Sequence, residues 1–305
     1  MTSQTVNQEK GKKEGFLTLI GSAFAFSLMT VCVKQVGGRI PVAELVFFRS
    51  VFSLCITKIM ISKAGIYTWG QNKKLLLARG LIGTGALFCV FKAIESLPLA
   101  AATIIQYTYP IFAALFAWLL INEKTKRRIF VAIFLGWIGI QIVVKPLWVK
   151  TLDNQLAILS IIIALSGALL TALAYITVRR LSKKENQLVI VFYFPLVSIP
   201  ITLPFMIEHA VLPSSSEWAY ILGIGVFTQL GQLFITNGLS RMPAGYAGAI
   251  NYTQVLFATL WGVVIFSEPL NIYILVGAAF ILSATLITLS GLTDFQQPKI
   301  KSLSS

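Results

Sequence analysis

Long runs of apolar residues, separated by short polar segments, dominate the pattern along this chain of 305 residues. A helix needs about 20 mostly apolar residues to cross the hydrocarbon core of a bilayer. Runs of that length recur throughout the sequence, so we expect an all-α integral membrane protein. The pattern predicts ten transmembrane helices, near residues 16–33, 42–61, 76–94, 99–121, 129–146, 156–178, 188–207, 218–238, 244–266 and 272–291.

The predicted fourth span carries a polar interruption in its interior, Gln106-Tyr107-Thr108-Tyr109, followed by Pro110. Amide and phenol groups cost free energy in hydrocarbon unless they find partners. A proline inside a helix also removes one backbone hydrogen bond. We therefore expect this segment to face protein or a water-filled cavity, and we expect Pro110 to kink or gate the helix.

The same stretch recurs 145 residues later without a gap, from Met242 to Glu268. Other segments share this register, which an internal duplication explains better than chance. The two copies are predicted at residues 15–148 and 149–292, with polar tails at 1–14 and 293–305. Aligned pairs include Lys34 with Arg179, Gly80 with Gly225, Gln106 with Asn251, Tyr107 with Tyr252, Thr108 with Thr253, and Glu123 with Glu268.

Basic residues are distributed unevenly between the two predicted sides of the membrane. With the N-terminus inside, the inner segments hold seventeen Lys and Arg residues and the outer loops hold five. Such a bias predicts that both termini are cytoplasmic, here in a bacterial inner membrane. Because five spans is an odd number, the second copy must enter from the opposite side. Inverted repeats of this kind are typical of secondary transporters, whose substrate site lies near the midplane.

Composition removes several classes of protein. The chain is 56% hydrophobic and 12% charged, and its mean hydropathy is +0.81, which lies outside the range of soluble domains. The formal charge of +14 lies in short loops and not in a folded basic patch, which argues against nucleic acid as a partner. The three cysteines fall in different spans without CxxC spacing, so no zinc site or disulfide framework is expected.

Catalytic patterns are also missing from the sequence. The single histidine, His209, falls at a predicted span end, and no HExxH motif occurs. We therefore expect no enzyme, no metal and no cofactor. The rings of charge that a channel needs are absent as well. The alternative to a transporter is a non-transporting membrane scaffold or a metabolite sensor.

The second predicted span contains charged residues at unusual depth. Arg49, about a third of the way in, must face protein, water or an anion. It either clamps backbone carbonyls or binds an anionic group of a solute, and the sequence leaves both interpretations open. Glu44, nearer the outer end, is the candidate for proton coupling, although facilitated diffusion and exchange fit equally well.

In the fourth and ninth predicted spans, each copy carries a narrow stripe of small residues that bears amide side chains. Such stripes either pack together or line a cavity, and flanking tyrosines make the polar face wider than one contact needs, which favours the cavity. The eighth predicted span adds a further amide side chain, Gln229. The predicted substrate-binding residues are Arg49, Gln106, Tyr107, Tyr109, Gln229, Asn251, Tyr252 and Gln254.

Two other features concern the periphery. The fifth and tenth predicted spans carry few polar residues, so they face either lipid or a second copy in a homodimer. The seventh contains Pro195, Pro200 and Pro204, which predict kinks.

The stretch from Arg79 to Lys124 resembles the EamA-type branch of the drug/metabolite transporter superfamily, and Met242 to Glu268 resembles the second EamA repeat. The matching elements are Arg49, the Leu97-Pro98-Leu99-Ala100 turn, Pro110 and Glu123. The resemblance implies two inverted five-helix bundles around a central cavity, alternating access, and a small metabolite such as an amino acid, nucleoside or vitamin as solute. One position departs from it: Val255 stands where the first copy has Pro110, so we expect the two halves to bend differently.

Overall fold

A computed structural model describes residues 3–36, 39–96, 105–123, 125–144, 155–267 and 272–290. Within these ranges every regular element is a helix. The helices are α1 (Ser3–Val36), α2 (Val42–Lys63), α3 (Lys73–Ser96), α4 (Tyr109–Ile121), α5 (Arg127–Val144), α6 (Gln155–Leu181), α7 (Gln187–His209), α8 (Ser215–Arg241), α9 (Ala244–Asn251), α10 (Thr253–Phe266) and α11 (Ile272–Ser290).

Many of these helices are suited to a bilayer. In the described part of the chain, six helical stretches are long and apolar enough to cross a membrane, and two shorter apolar helices accompany them. The six are Lys13–Val36, Val42–Lys63, Ile158–Leu181, Gln187–Glu208, Ser215–Arg241 and Ala244–Phe266; the shorter two are Tyr109–Ile121 and Ile272–Thr288. The all-helical, membrane-type architecture expected from the sequence is therefore confirmed.

Two helices differ in detail from the prediction. α1 begins at Ser3, well before the predicted first span, because residues 3–15 are rich in Gln, Glu and Lys, which are good helix formers. α7 runs as one helix from Gln187 to His209 with all three of its prolines inside it.

The helices that the duplication aligns are interrupted at equivalent positions. In the first copy, residues 105–106 are helical, Tyr107 and Thr108 form a turn, and α4 starts at Tyr109. In the second copy, α9 ends at Asn251, and Tyr252 separates it from α10. Both helices therefore break at the same aligned tyrosine, over two residues in the first copy and one in the second.

A threonine makes the same local bond at both breaks. Thr108 Oγ1 donates to the carbonyl of Ile105 at 2.6 Å, and Thr253 Oγ1 donates to the carbonyl of Ile250 at 2.8 Å. Threonine hydroxyls compete with the backbone for carbonyls in this way and so favour a turn over a continuing helix. Pro110 lies in the first turn of α4, where its missing N–H costs nothing.

The aligned helices also end alike. α4 is capped by Asn122 at φ 54°, and α10 by Ser267 at φ 53°, two residues that the 145-residue offset pairs. The cap N–H groups donate to Ala117 and Gly262, which are paired as well. Left-handed residues other than glycine are uncommon, so their recurrence at one aligned position indicates a common local fold.

Packing between the halves is reciprocal. α1 packs on α8 and α10, and its aligned counterpart α6 packs on α3 and α4. α2 packs on its counterpart α7, and α5 on its counterpart α11. The α1–α8 contact includes a bond from Ser22 Oγ to the carbonyl of Gly231 at 3.0 Å, across 209 residues of sequence.

Two aligned glycines lie at close helix crossings. A Cβ at Gly80 would lie 2.6 Å from Val197, and a Cβ at Gly225 would lie 2.9 Å from Phe52. Phe52 and Val197 are themselves aligned by the 145-residue offset. Each half therefore presents a glycine to the other half's second helix, which allows the backbones to approach closely.

Candidate functional site

Buried polar and aromatic side chains from seven helices meet where the two halves contact each other. We call them the central polar cluster. Its members are Arg49 on α2, Arg79 on α3, Tyr109 on α4, Tyr175 on α6, Phe194 on α7, Gln232 on α8 and Asn251 on α9.

Asn251 connects two tyrosines from different halves. Its Nδ2 donates to the Tyr175 hydroxyl at 2.6 Å and to the Tyr109 hydroxyl at 3.1 Å. The two phenol rings contact edge to face, with centroids 5.1 Å apart. Asn251 is 3% exposed and Tyr109 is 5% exposed, yet Asn251 Oδ1 has no hydrogen-bond partner among the described residues. The amide thus keeps one acceptor free in a buried, hydrogen-bonded setting.

Gln106 lies beside this group, just before the turn that precedes α4. Its Nε2 donates to Thr171 Oγ1 at 3.1 Å. Thr171 and Tyr175 are four residues apart, so they lie on one face of α6. Gln106 Oε1 is buried and has no partner in the described part of the chain. Gln106 and Asn251, which the duplication pairs, therefore both present a free amide oxygen.

The two arginines flank one aromatic ring. The guanidinium carbon of Arg49 lies 5.4 Å from the centroid of the Phe194 ring, and that of Arg79 lies 5.1 Å from it. Arg79 Nη2 donates to Gln232 Oε1 at 3.3 Å. Tyr175 is within electrostatic reach of Arg79, which links the arginines to the tyrosines and to Asn251.

Tyr107 and Tyr252 contact each other at the paired helix breaks. Their ring centroids are 6.1 Å apart, and the Tyr252 hydroxyl donates to the carbonyl of Tyr107 at 3.3 Å. Tyr252 is fully buried in an apolar cluster that includes Ile140 and Ile281. A Cβ at Gly136 would lie 2.4 Å from its ring, so this tyrosine packs tightly against α5.

Three other predicted site residues lie away from the cluster centre. Gln229 is bonded to α2 through both amide atoms: it accepts from Ser53 Oγ and donates to Thr57 Oγ1 at 2.7 Å. Glu44 Oε2 accepts from the backbone N–H of Val211 at 2.9 Å. Gln254 is half-buried in the first turn of α10.

Four members of the cluster are absent from the substrate-binding residues predicted from the sequence: Arg79, Tyr175, Phe194 and Gln232. α3 begins at Lys73 and places Arg79 inside the helix, 6% exposed. The available signal was Gly83, one turn later: a Cβ there would lie 2.2 Å from Arg79 Nη1. Tyr175 gave only a weak signal, a single phenol four residues after Thr171.

Polar bonds join the halves at both ends of the helix bundle. At the end that carries the α4–α5 connection, Arg179 Nε donates to Glu123 Oε1 at 2.7 Å, and Arg179 Nη1 donates to the carbonyls of Leu239 and Ser240, each at 2.9 Å. At the end that carries the α1–α2 connection, Arg39 pairs with Glu217. The Glu217 carboxylate raises the pKa of the Arg39 guanidinium, mainly through their hydrogen bond.

Membrane-length apolar helices around a buried polar cluster, with polar bonds between the halves at both ends, define a membrane transporter for small solutes. The chain belongs to the EamA-like transporter family, whose model matches residues 13–145 and 158–290. The resemblance seen in the sequence is thereby confirmed. The two matched segments begin 145 residues apart, the same offset that aligns the halves.

Similar proteins include transporters from bacteria and mammals. The pseudopaline exporter CntI of Pseudomonas aeruginosa is 31% identical over 273 residues, covering 89% of this chain and 94% of that protein. Solute carrier family 35 member G1 of Mus musculus is 24% identical over 283 residues, covering 89% and 77%. A solved crystal structure covers 94% of this chain and 100% of its own, with a TM-score of 0.83 and 16% identity, so it shares the fold.

Proposed function

We propose that this protein is a secondary transporter that moves a small organic metabolite across a bacterial inner membrane by alternating access. Ten transmembrane helices would form two inverted five-helix repeats, residues 15–148 and 149–292, with the tails 1–14 and 293–305 in the cytoplasm. One observation carries the proposal: the central polar cluster is buried between the halves and is built from residues of both. A solute bound in this cluster would contact both halves, so it would be in contact with whichever half moves during transport.

The inverted arrangement is supported by the reciprocal packing. The aligned glycines Gly80 and Gly225 receive aligned side chains from opposite halves, and the aligned helices share their breaks and their left-handed caps. Two copies related by a two-fold axis in the membrane plane would produce this exchange of contacts. The basic bias of the sequence assigns the α4–α5 end to the cytoplasm.

The polar bonds at the two ends suggest how access would alternate. Arg179 holds Glu123 at the proposed cytoplasmic end, and its aligned counterpart Lys34 lies at the other end with Nζ 4.0 Å from the Phe266 ring centroid. Opening one end would break one of these contacts while the other persists. The breaks at Tyr107 and Tyr252, next to the cluster, are where the fourth and ninth helices would bend.

The chemistry of the cluster suits a metabolite with hydrogen-bonding groups. Amide oxygens, phenol hydroxyls and guanidinium groups can recognise an amino-acid-, nucleoside- or vitamin-like solute. The relative from Pseudomonas aeruginosa is named as an exporter, and we carry export over only as a direction to be tested. Glu44 keeps its proposed role in proton coupling, although its bond to the Val211 N–H supports a structural role equally.

The test starts with the purified, full-length protein. A metabolite library is screened for compounds that raise the unfolding temperature, because a ligand of the folded state stabilises it by mass action. The radiolabelled hit is then followed by counterflow in proteoliposomes. Counterflow that Asn251→Ala reduces supports the proposal, with the lipid-facing Leu282→Ala as control, since Leu282 is half exposed on α11. Binding without counterflow would favour the sensor, and neither binding nor counterflow would favour the scaffold.

Two further expectations belong to the same proposal. Counterflow with and without a pH gradient, in the native protein and in Glu44→Gln, distinguishes proton coupling from facilitated diffusion and exchange. The outer faces of α5 and α11 expose apolar side chains such as Val131, Phe134 and Leu275. They would face lipid or a second copy, and the mass of the detergent-solubilised protein decides whether it is a homodimer.

A further inference from the structure

In the part of the chain that the structure describes, two positive charges are buried near each other without an acidic partner. Arg49 and Arg79 are each 6% exposed, and their guanidinium carbons lie 5.4 and 5.1 Å from the centroid of the same ring, that of Phe194. Like charges this close to each other repel. Among the described residues, the ion pairs Arg39–Glu217, Arg179–Glu123 and Arg241–Glu14 all lie elsewhere. A buried cation is costly unless it is paired. A bound anion would therefore stabilise the two arginines.

Arg79 has donors to offer such an anion. Its Nη2 bonds to Gln232, but its Nε and Nη1 are buried and have no hydrogen-bond partner in the described ranges. Arg79 Nη1 occupies the space that a side chain at position 83 would fill, because a Cβ at Gly83 would lie 2.2 Å from it. Nε and Nη1 lie on different edges of the planar guanidinium fork, so each can donate to a separate oxygen of a carboxylate or phosphate, in a direction that the plane fixes.

The other side of the cluster offers acceptors. Asn251 Oδ1 and Gln106 Oε1 are both buried without a partner among the described residues. Tyr175 connects the arginines with the amides. Its hydroxyl accepts a hydrogen bond from Asn251 at 2.6 Å, and it lies within electrostatic range of Arg79. One small molecule could therefore contact both: its oxyanions would meet the arginines, and an N–H group would meet the amide oxygens.

We propose that the transported solute is an organic dianion: it carries two negative charges, as carboxylate or phosphate, held between Arg49 and Arg79, and an amine or amide N–H held by Asn251 and Gln106. This inference rests on the proposed transport function and narrows its substrate class. Neutral nucleosides and uncharged vitamins would leave both guanidinium groups without a counter-charge.

The test uses small probes that differ in one group each. Iminodiacetate has two carboxylates around a secondary amine that is protonated at neutral pH, diglycolate replaces this ammonium with an ether oxygen, and iminodiacetamide replaces both carboxylates with uncharged amides. Each is titrated against the full-length protein in nanodiscs at constant ionic strength, and the unfolding temperature is recorded. We expect the largest rise with iminodiacetate, a smaller rise with diglycolate and none with the diamide. Inorganic phosphate, titrated in parallel, shows whether the arginines prefer phosphate to carboxylate.

Variants assign the effect to the two arginines. Arg79→Gln and Arg49→Gln should each raise the half-saturating concentration of iminodiacetate by about tenfold or more, the loss expected for a hydrogen bond between charged groups. The control is Arg180→Gln, which removes an exposed charge near the end of α6. Arg79→Lys should bind with intermediate affinity, since it keeps the charge and loses the fork.

The outcomes separate this inference from the proposed function. Equal stabilisation by the diamide and the dianion would overturn the inference, and this comparison needs no variant to fold. Unchanged binding in both Gln variants, relative to Arg180→Gln, would overturn it as well. Counterflow of a neutral metabolite, with no stabilisation by dianions, would support the proposed transport function and contradict the dianionic substrate. Dianion binding that depends on the arginines, without counterflow of any compound, would support the dianion site and contradict the proposed transport function.

Discussion

The bond between Arg179 and Glu123 allows a quantitative test of how the proposed cytoplasmic end is held closed. The two side chains are 11% and 16% exposed, and Nε lies 2.7 Å from Oε1. Changing Glu123 to Gln keeps the size of the side chain and one weak acceptor but removes the charge. Arg179 retains its bonds to the carbonyls of Leu239 and Ser240, so the guanidinium is not left unpaired.

The expected loss can be worked out from these contacts. A hydrogen bond to a charged group contributes about 1.5–3 kcal/mol and a neutral one about 0.5–1.5 kcal/mol. The ion pair lies at the upper end of the first range, and the bond that the amide introduced by Glu123→Gln would keep to the Arg179 guanidinium lies near the boundary between the two ranges. Glu123→Gln should therefore weaken the closed cytoplasmic end by about 1–2 kcal/mol. A change of that size alters the ratio of two states by roughly 5–30-fold. The state open to the cytoplasm should become more populated by that factor.

Cysteine labelling measures this population. Ala172 is fully buried on α6, two turns before Arg179 and on the same face. In a protein without Cys32, Cys55 and Cys89, Ala172→Cys should react with a membrane-impermeant maleimide from the cytoplasmic side several-fold faster when Glu123→Gln is present. Glu217→Gln, which breaks the pair with Arg39 at the other end, should slow the reaction. An unchanged or slower rate with Glu123→Gln would refute the role of this pair in closure.

Three further predictions follow from single contacts. Asn251→Ala should lower counterflow by about tenfold or more while membrane insertion stays intact, because it removes the bonds to the Tyr109 and Tyr175 hydroxyls. Wild-type flux would mean that the amide only packs. Gln229→Ala should lower the free energy of unfolding by about 1–3 kcal/mol, because it leaves Ser53 and Thr57 without their partner; solute affinity should be unchanged, and a loss of affinity at normal stability would place Gln229 in the site instead. Gly83→Ala should weaken iminodiacetate binding as much as Arg79→Gln does, because the methyl group displaces Arg79 Nη1; titration of both variants, with Gly85→Ala as control, compares them directly.

The helical architecture could be predicted because hydrophobic run length is a strong signal. The 145-residue offset also anticipated which helix positions would behave alike, down to the break at Tyr107 and Tyr252. It did not show the threonine bond that both breaks contain, so the sequence interpretation assigned the kink to Pro110. The presence of Val255 in the other copy was then taken as a difference in bending, although the local bond is present in both.

The site was harder to predict, because a polar face does not reveal what its neighbours offer. Gln229 has the same chemistry as Gln106, yet both atoms of its amide are taken by hydroxyls on α2. Nothing in the pattern of α8 encodes those partners. Arg79 falls near the end of its predicted span, where a charge normally reaches water, and it is the packing of α3 against α7 that buries it.

The contact between α1 and α8 has a consequence for how the chain is made. Ser22 meets Gly231 across 209 residues, so the first helix must wait in the bilayer until the eighth has left the ribosome. At a synthesis rate of about 5–20 residues per second, that delay is roughly 10–40 s. Throughout this time Ser22 lacks the carbonyl to which it finally donates. Insertion of the first helix and its assembly with α8 are therefore separate events.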